Sequence, residues 1–257
     1  MATTDSQGLS QSPEWPQIVC THLRRVREGS PLVQCITNMV SMDLVANTLL
    51  AAGASPAMIH CLEEIPDFTP KVGALYINVG TLSSNSLPSM RAAAELANAH
   101  SIPWVLDPVA AGASAFRLNA CMELIALRPW IIRGNGSEIL TLSNSSEVAS
   151  KGADSCHESL DAVNAAKSLA RSSGSIVAVS GAVDIVTDGN HVIGCRNVNK
   201  SNPLEATVSA LAIFGIAAEI AMESSAGPGS LRMNLIDSLH RLLEETILHR
   251  SSISYLK

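Results

Sequence analysis

Aromatic side chains are scarce: three Phe, two Tyr and three Trp make only 3% of the 257 residues. A core must therefore be packed with Ala, Val, Ile and Leu, which suits helices lying close on a parallel sheet. Long basic runs are missing too, and the formal net charge is −6. That excludes the basic face needed to neutralise a phosphate backbone, so no nucleic-acid partner is expected. The six cysteines, Cys20, Cys35, Cys61, Cys121, Cys156 and Cys195, form no CxxC pair and no metal-type cluster. Most lie in apolar segments, as reduced core thiols do, which points to a reducing compartment. No apolar run reaches bilayer length; residues 206–221 come nearest and contain Glu219, so no membrane span is expected. The first residues carry neither a basic-then-apolar signal nor an Arg-rich one, and the expected location is cytoplasmic. Charged residues make 16% against 47% hydrophobic, which excludes disorder for most of the chain.

What is present alternates. Residues 1–11 read as a polar, disordered tail and 12–257 as a single domain. Ser12-Pro13 opens a helix through Glu28, closed by Gly29. A strand at 32–36 ends in Thr37-Asn38, Ser41 caps a helix over 42–52, and Gly53 stops it. Strands follow at 56–59 and 74–78, a helix at 87–99, a strand at 104–106 turning through Asp107-Pro108, and a helix at 116–127. The apolar run Trp130–Ile132 then breaks at Arg133-Gly134-Asn135-Gly136-Ser137-Glu138, which reads as a glycine-rich turn, before a helix resumes at Ile139. After a helix at 159–172 and a strand at 176–179 ending Ser180-Gly181, residues 184–187 and 191–194 read as a hairpin around Asp188-Gly189. Two long helices, separated near Gly227-Pro228-Gly229, complete the chain. Strands alternating with helices predict an α/β fold: a doubly wound, mostly parallel sheet with helices on both faces.

Polar or glycine residues follow five strands, at Thr37-Asn38, Asn78-Gly80-Thr81, Asp107, Arg133-Asn135 and Ser180-Gly181. In such folds small molecules bind outside the carboxyl ends of the strands. Arg133 offers a planar fork for phosphate, or is a plain surface residue; Glu138 holds a metal or caps the helix. Asp107 with Glu138 suits Mg²⁺ held through oxygens and waters, while Asp107 alone is equally a turn former before Pro108. Ser180 bonds nucleotide phosphate or starts a turn. Met42 reads as core, although a thioether also packs on a ligand ring. The seven His show no HxxxH or His-Asp pairing and read as structural or solvated.

The runs SPLVQCITNMVSMDLVANTLLAAGASPAMI (30–59), LYINVGTL (75–82), IPWVLDPVAAGAS (102–114), IIRGNGSEI (131–139) and AVSGAVDIVTDG (178–189), in that order, resemble the hydroxyethylthiazole kinase family of thiamine salvage. The resemblance implies a ribokinase-like fold and transfer of the ATP γ-phosphate, with Mg²⁺, to the primary hydroxyl of 4-methyl-5-(2-hydroxyethyl)thiazole. It implies a homotrimer with active sites between subunits. It also implies that Met42 contacts the thiazole with Asn38 near it, that Arg133 and Ser180 contact ATP, and that Asp107 and Glu138 serve the magnesium. The pattern departs from the family after the hairpin. There the family runs through a further strand into a Gly-(Thr/Ala)-Gly-Cys anion-hole loop and a long helix. Here Cys195-Arg196-Asn197 passes through Val198-Asn199-Lys200-Ser201 straight into 202–224, and no Gly-x-Gly-Cys occurs in the chain. An internal deletion near 197–202 is expected, and no catalytic loop residue carries over. Phosphoryl transfer relies on positioned donors, and losing one costs roughly 10²–10³ in rate in a comparable oxyanion site. The chain is thus expected to be an impaired kinase or, alternatively, a non-catalytic shortened form acting as a binding or assembly protein.

Overall fold

The structure is a computed structural model that describes residues 15–146, 158–196 and 203–256. The expected tail at 1–11, the Ser12-Pro13 helix start and the expected deletion near 197–202 lie outside the described residues. Helix α1 (Trp15–Gly29) buries Val19, Cys20 and Leu23 at helical spacing. Then come β1 (Leu32–Ile36), α2 (Met42–Ala52), β2 (Ser55–Ala57), a one-turn α3 (Ile65–Phe68), β3 (Ala74–Asn78), α4 (Ser86–Ala99), β4 (Trp104–Asp107) and α5 (Ala115–Ala126). The chain continues through β5 (Ile131–Asn135), α6 (Gly136–Ser146), α7 (Glu158–Ser173), β6 (Ile176–Ser180), β7 (Asp184–Thr187) and β8 (Val192–Arg196). It closes with α8 (Pro203–Glu223), α9 (Pro228–His240), α10 (Glu244–Arg250) and β9 (Ser252–Tyr255). Gly53 ends α2 in the left-handed region at φ 99, a conformation that glycine adopts without a Cβ penalty.

One sheet runs in the order β2-β1-β3-β4-β5-β6-β7-β8-β9. Pairing is parallel from β2 through β6 and antiparallel from β6 to β9. The chain goes outward from β1 to β2 and returns to β3 on the other side of β1. The strand order therefore reverses between β1 and β3, the place where open α/β sheets form a crevice. Helices α4, α6 and α7 pack on one face, where Ile77, Leu106, Ile132, Val177 and Val179 meet Met90, Leu142 and Leu169. On the other face α8 packs on β6, β7 and β8, with Leu204 and Val208 against Ala178, Val186 and Ile193. The doubly wound, mostly parallel α/β sheet expected from the alternation is thus the one observed.

The second face is covered unevenly. Val33, Tyr76, Val105 and Ile131 lie on the α8 side of β1, β3, β4 and β5 and are only half-buried, whereas Leu75, Ile77, Leu106 and Ile132 opposite are closed off. A cavity of 360 Å³ opens between these strands and α8, and another of 500 Å³ lies among α1, α2 and α8.

Three local expectations need correction. Arg133–Asn135 is not a turn: β5 runs through Asn135 and α6 begins at Gly136. The chain after Pro203 is not two helices, because the second long helix breaks after His240 into α10 and β9, which pairs antiparallel with β8. By length and composition, α8 is long and apolar enough to cross a membrane, contrary to the expectation that no run is. It nevertheless packs on β6–β8 as a core helix.

Candidate active site

Asp107 sits at the carboxyl end of β4 and is 6% exposed. Desolvation raises its pKa from the usual carboxylate range, opposed by the Tyr76 hydroxyl, the Arg133 charge and the Asn78 amide. The Tyr76 hydroxyl and Asn78 Nδ2 each donate to Asp107 Oδ2 at 2.8 Å, and Arg133 Nη1 stands 4.0 Å from the same oxygen. Oδ1 has no partner among the described residues. Arg133 is half-exposed at the middle position of β5, level with the end of β4, and faces the 360 Å³ cavity with Tyr76 and Asp107.

Glu138 lies in the first turn of α6 and does cap that helix. Its Oε2 accepts from Asn135 N at 2.8 Å while Asn135 Oδ1 accepts from Glu138 N at 3.0 Å, a reciprocal capping box. Its Oε1 accepts from Ala110 N at 2.8 Å, which ties the loop after β4 to the start of α6. This explains why no turn is needed after Ile132. Gly134 admits the folded-back Glu138 side chain, since a Cβ there would lie 3.1 Å from Oε2. Ser180 pairs across the ladder with Asn135, and its hydroxyl donates to Gly134 O at 3.3 Å.

Asn38 and Met42 stand at the strand-order reversal. Asn38 is buried; its Oδ1 accepts from Val40 N and Ser41 N, and its Nδ2 donates to Asn78 Oδ1 at 2.9 Å. It therefore organises the start of α2, where Ser41 makes no side-chain cap. Met42 opens α2, half-buried. Met39 N reaches across to Thr81 Oγ1 at 3.1 Å. Asp107, Arg133, Glu138, Ser180 and Asn38 all lie at the carboxyl ends of parallel strands or in the turn that follows, on one rim of the sheet.

Two residues at this rim escape a reading of the sequence. Tyr76 reads as an interior position of an apolar strand, and only the β3–β4 register places it, with the strand-end Asn78, beside Asp107. Arg117, half-buried on α5, donates to the carbonyls of Val79, Val109 and Gly80 and so fastens the loops after β3 and β4 together. One His-Asp pair does exist: His191 Nδ1 lies 2.9 Å from Asp188 Oδ2, in the hairpin turn at the opposite end of the sheet.

Magnesium at kinase sites keeps several waters and binds one or two carboxylates plus substrate phosphates. The donor set matches that mode. Asp107 presents an unpartnered oxygen, Glu138 lies close enough to raise the pKa of Asp107, and no larger cluster of His, Cys, Asp or Glu stands among the described residues. Among the described residues, burial pushes the Cys35 and Cys121 thiols up to about 12, which keeps both protonated.

A family model described as the hydroxyethylthiazole kinase family matches residues 23–200. The chain is 57% identical to a hydroxyethylthiazole kinase of Arabidopsis thaliana over 274 aligned positions, covering 97% of this chain and 99% of that protein. It is 53% identical to one of Zea mays, covering 93% and 94%. The solved structure of a hydroxyethylthiazole kinase protein from Pyrococcus horikoshii superposes with a TM-score of 0.85 at 36% identity, covering 93% of this chain and 99% of that one. None of these relatives supports the non-catalytic alternative. The chain belongs to the hydroxyethylthiazole kinase family of small-molecule kinases.

Proposed function

We propose that this protein transfers the γ-phosphate of ATP to the primary hydroxyl of 4-methyl-5-(2-hydroxyethyl)thiazole, the step that recovers the thiazole half of thiamine. In this reading Asp107 and Glu138 serve Mg²⁺, Arg133 and Ser180 hold ATP, and Met42 and Asn38 line the thiazole site. The observation that carries it is the buried Asp107 carboxylate at the rim, one oxygen held by Tyr76 and Asn78 and the other unpartnered, with Arg133 and Glu138 beside it. When bound, Mg²⁺ offsets charge on the phosphate oxygens. Arg133 supplies a planar cation for the same oxygens. Glu138 keeps the loop after β4 docked on α6, and the Asn38–Asn78 bridge holds the strand-order crevice in one shape.

The same reading includes an internal deletion near 197–202. Its supports are the absent Gly-x-Gly-Cys motif, a family match that ends at residue 200, and an Arabidopsis alignment of 274 positions against 257 residues here. The half-covered face of β1 and β3–β5 is what loss of a packed segment leaves. A homotrimer and a cytoplasmic location belong to the proposal as well; Met39 and Val40, 81% and 89% exposed beside the thiazole residues, suit a subunit contact. The test is ADP release by purified protein given ATP, Mg²⁺ and the thiazole alcohol. Turnover that depends on Asp107 is expected, slower than that of the Arabidopsis relative by at least 10²–10³, roughly the effect of one lost donor. Thiazole binding with no phosphate transfer overturns the proposal.

A further inference from the structure

We propose that Tyr76 is a positioning residue for the phosphoryl-transfer site: its hydroxyl holds Asp107 Oδ2 so that Oδ1 is the oxygen offered to the metal. The inference rests on the reading of Asp107 as a Mg²⁺ carboxylate and goes beyond it by assigning a role to a side chain on the neighbouring strand.

The direction of each hydrogen bond follows from its neighbours. Asn78 Oδ1 accepts from Asn38 Nδ2 and Gly80 N, both at 2.9 Å, so the amide can only be turned with Nδ2 toward Asp107 and Tyr76. Asn78 Nδ2 then donates to the Tyr76 oxygen at 3.0 Å as well as to Asp107 Oδ2. The phenolic oxygen is thereby an acceptor from Asn78, and its own proton is left for Asp107 Oδ2 at 2.8 Å. Among the described residues every close donor to the carboxylate thus converges on one of its two oxygens.

Tyr76 shares this hold on Oδ2 with Asn78, each at 2.8 Å. The Tyr76 side chain stands on the α8 face of β3, paired in register with Val105, two residues short of Asp107 on β4. Its hydroxyl reaches Asp107 from a position two residues further into the sheet, and both side chains line the 360 Å³ cavity. An Asp carboxylate rotates in a broad, nearly two-fold well. A donor fixed on one oxygen removes that freedom and favours attachment of the cation through the other. Partners that orient a metal ligand in this way are typically worth 10–100-fold in metal affinity.

The probe is Mn²⁺ in the presence of ADP, with free Mn²⁺ read by electron paramagnetic resonance, on the full chain. Wild type is expected to bind Mn²⁺, Asp107→Ala to lose it, and Tyr76→Phe to bind roughly 10–100-fold more weakly with an unchanged melting temperature. Tyr76→Phe binding as tightly as wild type overturns the inference while the Asp107 reading stands. Wild type and Asp107→Ala binding alike overturns the Asp107 reading and the inference with it. Should Tyr76→Phe fail to fold, the wild-type hydroxyl is read directly. Tyr76 and Tyr255 are the only tyrosines, so in a Tyr255→Phe background the tyrosine Raman doublet reports Tyr76 alone. A strong-donor pattern is expected, and an acceptor-only pattern overturns the inference.

Discussion

His22 sits half-buried on α1 with its Nδ1 3.0 Å from Ser209 Oγ on α8. Desolvation, then the Arg25 charge, lowers its pKa from 6.5. A histidine whose folded-state value is depressed binds its proton more readily when the chain unfolds. Above the unfolded value both states are neutral and its contribution to stability is complete. As the pH falls below 6.5 the unfolded chain is protonated first, and stability is lost down to the lower folded value. Urea midpoints of wild type and His22→Gln at about pH 7.5 and about pH 5.5 check this. Wild type should lose more on acidification than the variant; equal losses would show that the α1–α8 contact does not sense the imidazole charge. At the carboxyl rim of the sheet the sign is opposite. Burial raises the Asp107 pKa, so its charged form costs stability as pH rises, offset by Tyr76, Arg133 and Asn78.

At the scale of elements, the loops after β1 and β3 interlock through Gly80. A Cβ there would stand 2.9 Å from Asn38 Cβ and 3.0 Å from Asn78 Oδ1. Gly80→Ala must therefore spread the Asn38–Asn78 bridge across the strand-order reversal. Overpacking of this kind costs about 1–3 kcal/mol, and thiazole binding should weaken together with thermal stability. Gly215→Ala is the control: it meets nothing within 4 Å on α8, and should be neutral or stabilising by roughly 0.5–1 kcal/mol. Calorimetry of both variants with a thiazole titration decides it; a silent Gly80→Ala would mean that the two loops move apart freely. The elements themselves were mostly legible because each ends in its own punctuation, as α2 does at Gly53 and β4 at Asp107-Pro108. Misreading β5 came from a glycine that is there for space: Gly134 makes room for Glu138 and bends nothing. β9 is a four-residue strand whose meaning depends on β8, far off in the chain. The rim residues were legible because their polar types stand directly after apolar runs. Tyr76 was not, because its role exists only through the strand beside it.

For the molecule as a whole, the half-covered sheet face governs stability. Ala210 and Phe214 of α8 both line the 360 Å³ and the 500 Å³ cavities, and Phe214 is 45% exposed. A protein interior is normally packed without such gaps, and each missing contact is stabilisation forgone. Ala210→Leu places an isobutyl group into space bounded by Tyr76, Val105 and Ile131 on one side and Val33 and Leu49 on the other. Each CH₂ taken from water contributes about 0.8 kcal/mol, against a helix-propensity loss of a few tenths from roughly 0.2 kcal/mol upward for replacing Ala. A net gain of about 1 kcal/mol should result, raising the melting temperature by roughly 2–4 °C for a chain of this size. The added group enters the cavity that Tyr76, Asp107 and Arg133 also line, so ATP affinity is the second readout of this variant. A lower melting temperature for Ala210→Leu would mean that this face is already filled in solution by another part of the assembly. Repeating the melt over a range of protein concentrations then identifies that part: a midpoint that climbs with concentration marks a neighbouring copy, since association stabilises by mass action, and a constant one marks the chain itself.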